Sequence, residues 1–112
     1  MMRRKRRYML IESLYEIAYV DGFERELALG MLSVMGQLGF HKSNPRIIQF
    51  VDSKHFVLCV GLDGYHDSVL ALSMLKMLRG KECAFYTLRT SGTLMALRSS
   101  LSEYGLFDMG NG

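Results

Sequence analysis

Five of the chain's 14 basic residues stand together as Arg3, Arg4, Lys5, Arg6 and Arg7. The other nine face 11 acidic residues, so the chain beyond Arg7 carries a formal −2 within a net charge of +3. A concentrated cationic arm attracts polyanions, because each phosphate it neutralises releases counterions and steepens the salt dependence of binding. Taken alone, the same arm also reads as a solvated tail. A second grouping is Arg89-Thr90-Ser91-Gly92-Thr93, in which a strand ending on arginine passes through a small, hydroxyl-rich turn into a helix. Free N–H groups at that helix start, the Ser91 and Thr93 hydroxyls and the close approach allowed by Gly92 suit a phosphate, with Arg89 and Arg98 flanking it. Plain N-capping by Ser91 or Thr93 accounts for the same residues. RNA binding calls for cations beside flat groups that stack on unpaired bases, and three such pairings occur: Arg7 with Tyr8, Lys54 with His55 and Phe56, and Tyr86 with Arg89.

Catalytic patterns are missing from the sequence. It contains no P-loop, no Gly-x-Ser-x-Gly elbow and no His-x-x-x-His pair. The acidic residues are scattered; Asp63 and Asp67 share a helical spacing, but capping of a helix start explains them more simply. His41, His55 and His66 lack metal-ligand spacing, and Cys59 and Cys83 sit inside apolar runs as reduced, buried thiols would. The expectation is a protein with no catalytic residue, no metal and no cofactor of its own.

The elements that must position these groups follow from patterning. A length of 112 residues, 49% of them apolar, fits one compact domain and excludes wholesale disorder. No apolar run approaches the roughly 18 residues of a membrane span. Glu12 and Glu16 interrupt the apolar stretch after the arm, which argues against a secretory signal and for a cytoplasmic protein. Strands are expected over 8–15, 46–51, 55–62 and 83–89, with 52–54 as a hairpin link. Helices are expected over 24–38, 66–78 and 94–104, with a loop at 40–45 and the second helix closed by Arg79-Gly80-Lys81. Gly30 and Gly36 each weaken the first helix by about 1 kcal/mol, so it must lean on tertiary packing. The order describes an α+β protein, a ferredoxin-like sandwich resembling an RNA-recognition motif: a four-stranded antiparallel sheet with two helices on one face. An extra C-terminal helix is left to cover the other face. Residues 1–7 form the arm, 8–104 the single domain and 105–112 a flexible tail.

Two stretches carry a family resemblance. Arg3-Arg-Lys-Arg-Arg-Tyr8-Met-Leu-Ile-Glu12 and Leu88-Arg-Thr-Ser-Gly-Thr-Leu94 with Leu97-Arg98 resemble the archaeal ribonuclease P protein component 2 family. Asn44-Pro45 before a strand and the Arg-Gly-Lys turn fall where that family places them. The resemblance runs from about Arg3 to Tyr104. It implies a non-catalytic subunit of ribonuclease P that assembles with the ribonuclease P RNA and with the barrel-type protein component 3. Two copies of each protein commonly pair as a heterotetramer containing a homodimer. The complex removes 5′ leaders from precursor tRNA, the RNA and its Mg2+ performing the hydrolysis. The RNA-binding residues so expected are Arg3, Arg4, Lys5, Arg6, Arg7, Tyr8, Lys54, His55, Arg89, Ser91, Gly92, Thr93 and Arg98.

Two other functions fit the same element order. One is a free-standing binder of single-stranded RNA, although the basic-Gly-aromatic signature of RNA-recognition motifs is absent from the third strand. The other is a small-ligand regulatory domain, which requires a concave pocket with convergent polar groups.

Overall fold

The computed structural model of the protein describes residues 5–106. Ser53 and Lys54 turn the chain between two apolar runs, and strands β2 (Arg46–Asp52) and β3 (His55–Gly61) pair antiparallel across that turn, as a short polar link demands. Strand β1 (Arg6–Ser13) reaches β2 through helix α1 (Phe23–Ser43). After β3 come helix α2 (Tyr65–Met74), a small hairpin of β4 (Met77–Leu78) and β5 (Lys81–Glu82), and β6 (Phe85–Ser91). Helix α3 (Leu94–Ser99) and a short 3-10 helix (Leu101–Tyr104) follow. The main sheet runs β2-β3-β1-β6 with every pairing antiparallel, the expected RNA-recognition-motif-like order. Among the described residues no helix is long and apolar enough to cross a membrane.

Strand alternation divides the interior in two. Met9 and Ile11 of β1 join Phe56, Leu58 and Val60 of β3 under α1 and α2. Leu10 and Val57 point the other way and, with Val51, pack against Leu97, Leu101 and Leu106. The C-terminal helix does cover the second face. The first core is centred on Phe23, Phe50, Phe56 and Phe85, whose neighbouring rings meet edge-on or tilted at centroid separations of 5.5–6.2 Å.

Several boundaries differ from the sequence expectation, each for a tertiary reason. Helix α1 extends past residue 38 to Ser43, crossing a kink at Gly36, whose φ of 76° and ψ of 170° leave the helical region. The extension is secured where the Ser43 and Ser68 hydroxyls share a buried hydrogen bond of 2.6 Å. Gly64 permits that contact, since a Cβ there would lie 2.5 Å from the Ser43 nitrogen. Only Asn44 and Pro45 then remain between α1 and β2 of the loop expected over 40–45. Helix α2 stops at Met74 instead of 78. Leu75 and Leu78 are buried and approach Gly30, and Arg79-Gly80, both at positive φ, turns a hairpin where a helix cap was expected. Strand β6 starts at Phe85, two residues later than expected, and β1 starts at Arg6, two residues earlier. Leu106, assigned to the tail, is buried in the second core; 107–112 lie outside the described residues.

Phe56 is fully buried at the centre of the ring cluster, so Phe56→Ala should cost about 3–5 kcal/mol in equilibrium urea denaturation. Tyr86→Ala, at a half-exposed position, should change stability by no more than about 0.5 kcal/mol.

Candidate nucleic-acid interface

Strand register gathers the cations. Residues paired across antiparallel strands share a face, so Arg46, Cys59, Tyr8 and Ser91 form one row across the sheet. The row beyond it holds Arg6 opposite Gly61. The Leu62 amide donates to the Lys5 carbonyl at 2.9 Å, fixing the arm to the body at that point. The Arg6 guanidinium reaches the Cys59 thiol, Nη1 to Sγ 3.7 Å, and lines a small notch with Lys42, Asn44 and Gly61. Arg7 turns towards β6: its Nη1 lies 3.5 Å from where a Cβ on Gly92 would stand. Among the described residues the ion pairs involve only His55 and Arg89 as cations, so Lys5, Arg6, Arg7, Lys42 and Arg46 gather at one sheet end without a carboxylate partner. Like charges left uncompensated at short range repel one another and favour a bound anion.

The expected site residues therefore divide. Lys5, Arg6, Arg7, Tyr8, Ser91, Gly92 and Thr93 come together at the cationic end. Arg3 and Arg4 lie outside the described residues. The hydroxyls of the turn serve the fold: Thr93 Oγ1 accepts from the Ala96 amide at 3.2 Å, and Ser91 Oγ accepts from the Thr93 amide at 3.3 Å. N-capping, one of the two readings of this turn, is thus what the Thr93 hydroxyl does, while the Ser91 hydroxyl closes the turn that leads into the cap. Arg89 and Arg98 are held internally, Arg89 by Tyr104 and by Glu103 at 3.1 Å, Arg98 by the Gln49 amide oxygen at 3.1 Å.

Lys54 and His55 sit at the far end of the sheet. There the His55 ring lies between Glu12 (Nε2 to Oε2, 3.0 Å) and Asp52 (Nδ1 to Oδ1, 2.8 Å). Burial pushes the Asp52 carboxyl up, but hydrogen bonds from the Lys54 backbone and from His55 outweigh it and hold the group below its ordinary 3.8. The face between the two ends is no platform for stacking bases, because Leu94, Leu97 and Leu101 lie on it.

Sequence reasoning missed Lys42 and Arg46. Hairpin register was only part of the signal: a turn at 53–54 by itself sets Arg46 opposite Gly61, and two irregularities in β2 bring it opposite Cys59, which β1 sets opposite Tyr8. Lys42 had no local signal, since it arrives only because α1 continues beyond its kink.

A βαββαβ sandwich with its second face closed by a C-terminal helix, and with its cations drawn to one sheet end, defines an RNA-recognition-motif-like protein that does not present the sheet itself. The profile of the Rpp14/Pop5 family matches residues 7–102, and the chain belongs to that family. Ribonuclease P protein component 2 of Thermococcus kodakarensis is 34% identical over 108 residues, an alignment covering 93% of this chain and 89% of the relative. The protein of the same name from Thermococcus gammatolerans is 32% identical over the same shares. The fold is similar to that of a chain in the yeast ribonuclease MRP structure, with a TM-score of 0.64 and 12% identity, covering 94% of this chain and 95% of that one.

The depressed Asp52 carboxyl stabilises the fold above 3.8, and this contribution is lost as pH falls through the lower folded value. Asp52→Asn should therefore lower the urea midpoint near neutrality, with the gap to the unsubstituted protein closing as pH falls below 3.8. Asp52 is half-exposed and screened, so the gap at neutrality should stay below about 1 kcal/mol.

Proposed function

We propose that this chain is a non-catalytic protein subunit of ribonuclease P that seats on the RNA of the complex through the cationic end of its sheet. The observation that carries this reading is the gathering of Lys5, Arg6, Arg7, Lys42 and Arg46 without ion-pair partners among the described residues, in a member of the Rpp14/Pop5 family. Arg3 and Arg4 precede Lys5 in the sequence and add two further positive charges to the run. Gly92 lets a phosphate come close beside Arg7, and Tyr8 lies in the same row of the sheet. Arg89 and Arg98 contribute at the margin of the footprint, because each is engaged within the fold, whereas Lys54 and His55 stand beside carboxylates at the other end of the sheet and lie outside it. With α3 across the sheet, contact is made to phosphates and shape rather than to stacked bases, which suits a folded RNA. The protein partner is a component 3 type of subunit, and the substrate of the assembly is precursor tRNA. Hydrolysis belongs to the RNA and its divalent metal, and two copies of this chain stand in the assembly.

The test is precursor-tRNA cleavage reconstituted from the cognate RNA and component 3, with and without this chain, in moderate magnesium. Cleavage should depend on the chain. The triple variant Arg6→Ala, Arg7→Ala, Arg46→Ala should weaken RNA binding and flatten the plot of log affinity against log salt by about 0.7–0.9 for each phosphate no longer neutralised. Cleavage indifferent to the chain, with tight binding of short unpaired RNA instead, would point to the free-standing binder.

A further inference from the structure

Strand β1 runs away from the cationic end to Ser13, and there the molecule changes character. The segment joining β1 to α1 and the β4–β5 hairpin enclose a cavity of about 410 Å3. Its floor is apolar, made by Ile17, Phe23, Leu78, Cys83 and Phe85. Its mouth carries two carboxylates, Glu16 and Glu82, against one ammonium, Lys81. Tyr15 donates a hydrogen bond of 3.0 Å to Glu82 and straps the two walls together. Arg79, which turns the hairpin, stacks 4.6 Å over the ring of Tyr19, a lining residue, and so keeps its charge on that side of the cavity; among the described residues it makes no ion pair with either carboxylate.

The surroundings say what kind of occupant fits. Leu14, Val20 and Met77, each beside a lining residue in the chain, are 51%, 58% and 53% exposed, and Tyr15 is 45% exposed. A small ligand filling the cavity leaves this collar in water, whereas a protein surface covers cavity and collar together. Carboxylates at the mouth repel RNA phosphate and attract a cation, and one deep apolar floor beside a charged rim is the form in which a single anchoring side chain is taken up.

We propose that this cavity is a docking site for a protein partner, which inserts one large apolar side chain and sets a basic residue against Glu16 and Glu82. The site lies at the end of the sheet opposite the RNA-seating surface and does not depend on that reading.

The test is a 1H–15N NMR titration of the whole chain with three capped dipeptides, Ac-Trp-Arg-NH2, Ac-Trp-Glu-NH2 and Ac-Ala-Arg-NH2. The first should shift the amides of Ile17, Cys83 and Phe85 saturably in the range of about 1 mM, the second at least about five-fold more weakly, and the third not at all. Glu16→Lys should reverse the preference between the two tryptophan peptides while leaving the Tyr15–Glu82 strap in place. Ala18→Trp, an enlargement at an exposed position on the rim, should abolish the shifts while the dispersion of the remaining spectrum is kept. Absence of saturable shifts at these amides overturns the proposal, as does equal binding of the Arg and Glu peptides or binding unaffected by Ala18→Trp. Sedimentation supplies the competing occupant: a dimer of this chain that Ala18→Trp dissociates assigns the cavity to a second copy and likewise overturns it.

Discussion

The structure depends on one constraint, the burial of β1 on both of its faces. Met9, Leu10 and Ile11 are all fully buried, although successive side chains of a strand point in opposite directions. A strand of that kind must lie inside a sheet and must have a layer on each side. The β3 and β6 neighbours meet the first requirement, and the α1/α2 pair with the C-terminal segment meets the second. The same strand also sets the molecule's polarity. Its first residues carry the cations, its last ones lead to Glu12, Ser13 and the cavity, so the two candidate surfaces are separated by the length of one central element.

Closing the second face alters what an RNA-recognition-motif-like sheet can do. The central residues beneath α3 are aliphatic: Leu10, Val51 and Val57. Had α3 merely occluded a base-stacking surface, aromatic side chains would stand in those places. Aromatics occur only at the margin, with Tyr8 beside the cationic row and Tyr86 on the outer strand. The helix is therefore part of the core, and function is displaced to the edges, where loops and strand ends gather charge. Arg98 and Gln49 bind the covering layer to the outer strand β2 by a hydrogen bond, and Tyr104 does the same on the opposite side by donating to the Leu88 carbonyl.

Element order, the 46–61 hairpin and the cationic start of β1 were legible in the sequence because each rests on local pattern: alternation, a polar link, a run of like charges. The end of α2 was not legible. Leu75 and Leu78 keep helical spacing, but they are buried beside Gly30 from an extended backbone, and Arg79-Gly80 suits a helix cap and a hairpin turn equally well. The kink at Gly36 was visible only as a weak helix residue; the helix resumes after it because the Ser43–Ser68 contact, 25 residues apart, holds the far side. The candidate site was half legible for the same reason. Arg6 and Arg7 belong to an obvious cluster, whereas Lys42 and Arg46 join them only through helix length and strand register.

The hydrogen bond between the Lys5 carbonyl and the Leu62 amide has a thermodynamic consequence for whatever anion settles at that end of the sheet. Fixing the backbone of one free residue costs about 1–2 kcal/mol of entropy at room temperature. Residues 5–7 are already fixed, by this bond and by the pairing of Arg6 and Arg7 with β3, so folding has met that cost before any partner arrives. For three residues the saving is about 3–6 kcal/mol, equivalent to about two to four orders of magnitude in a dissociation constant. Strand order has thus fixed the backbone that carries these three cations, so their charges are held close together from the first encounter.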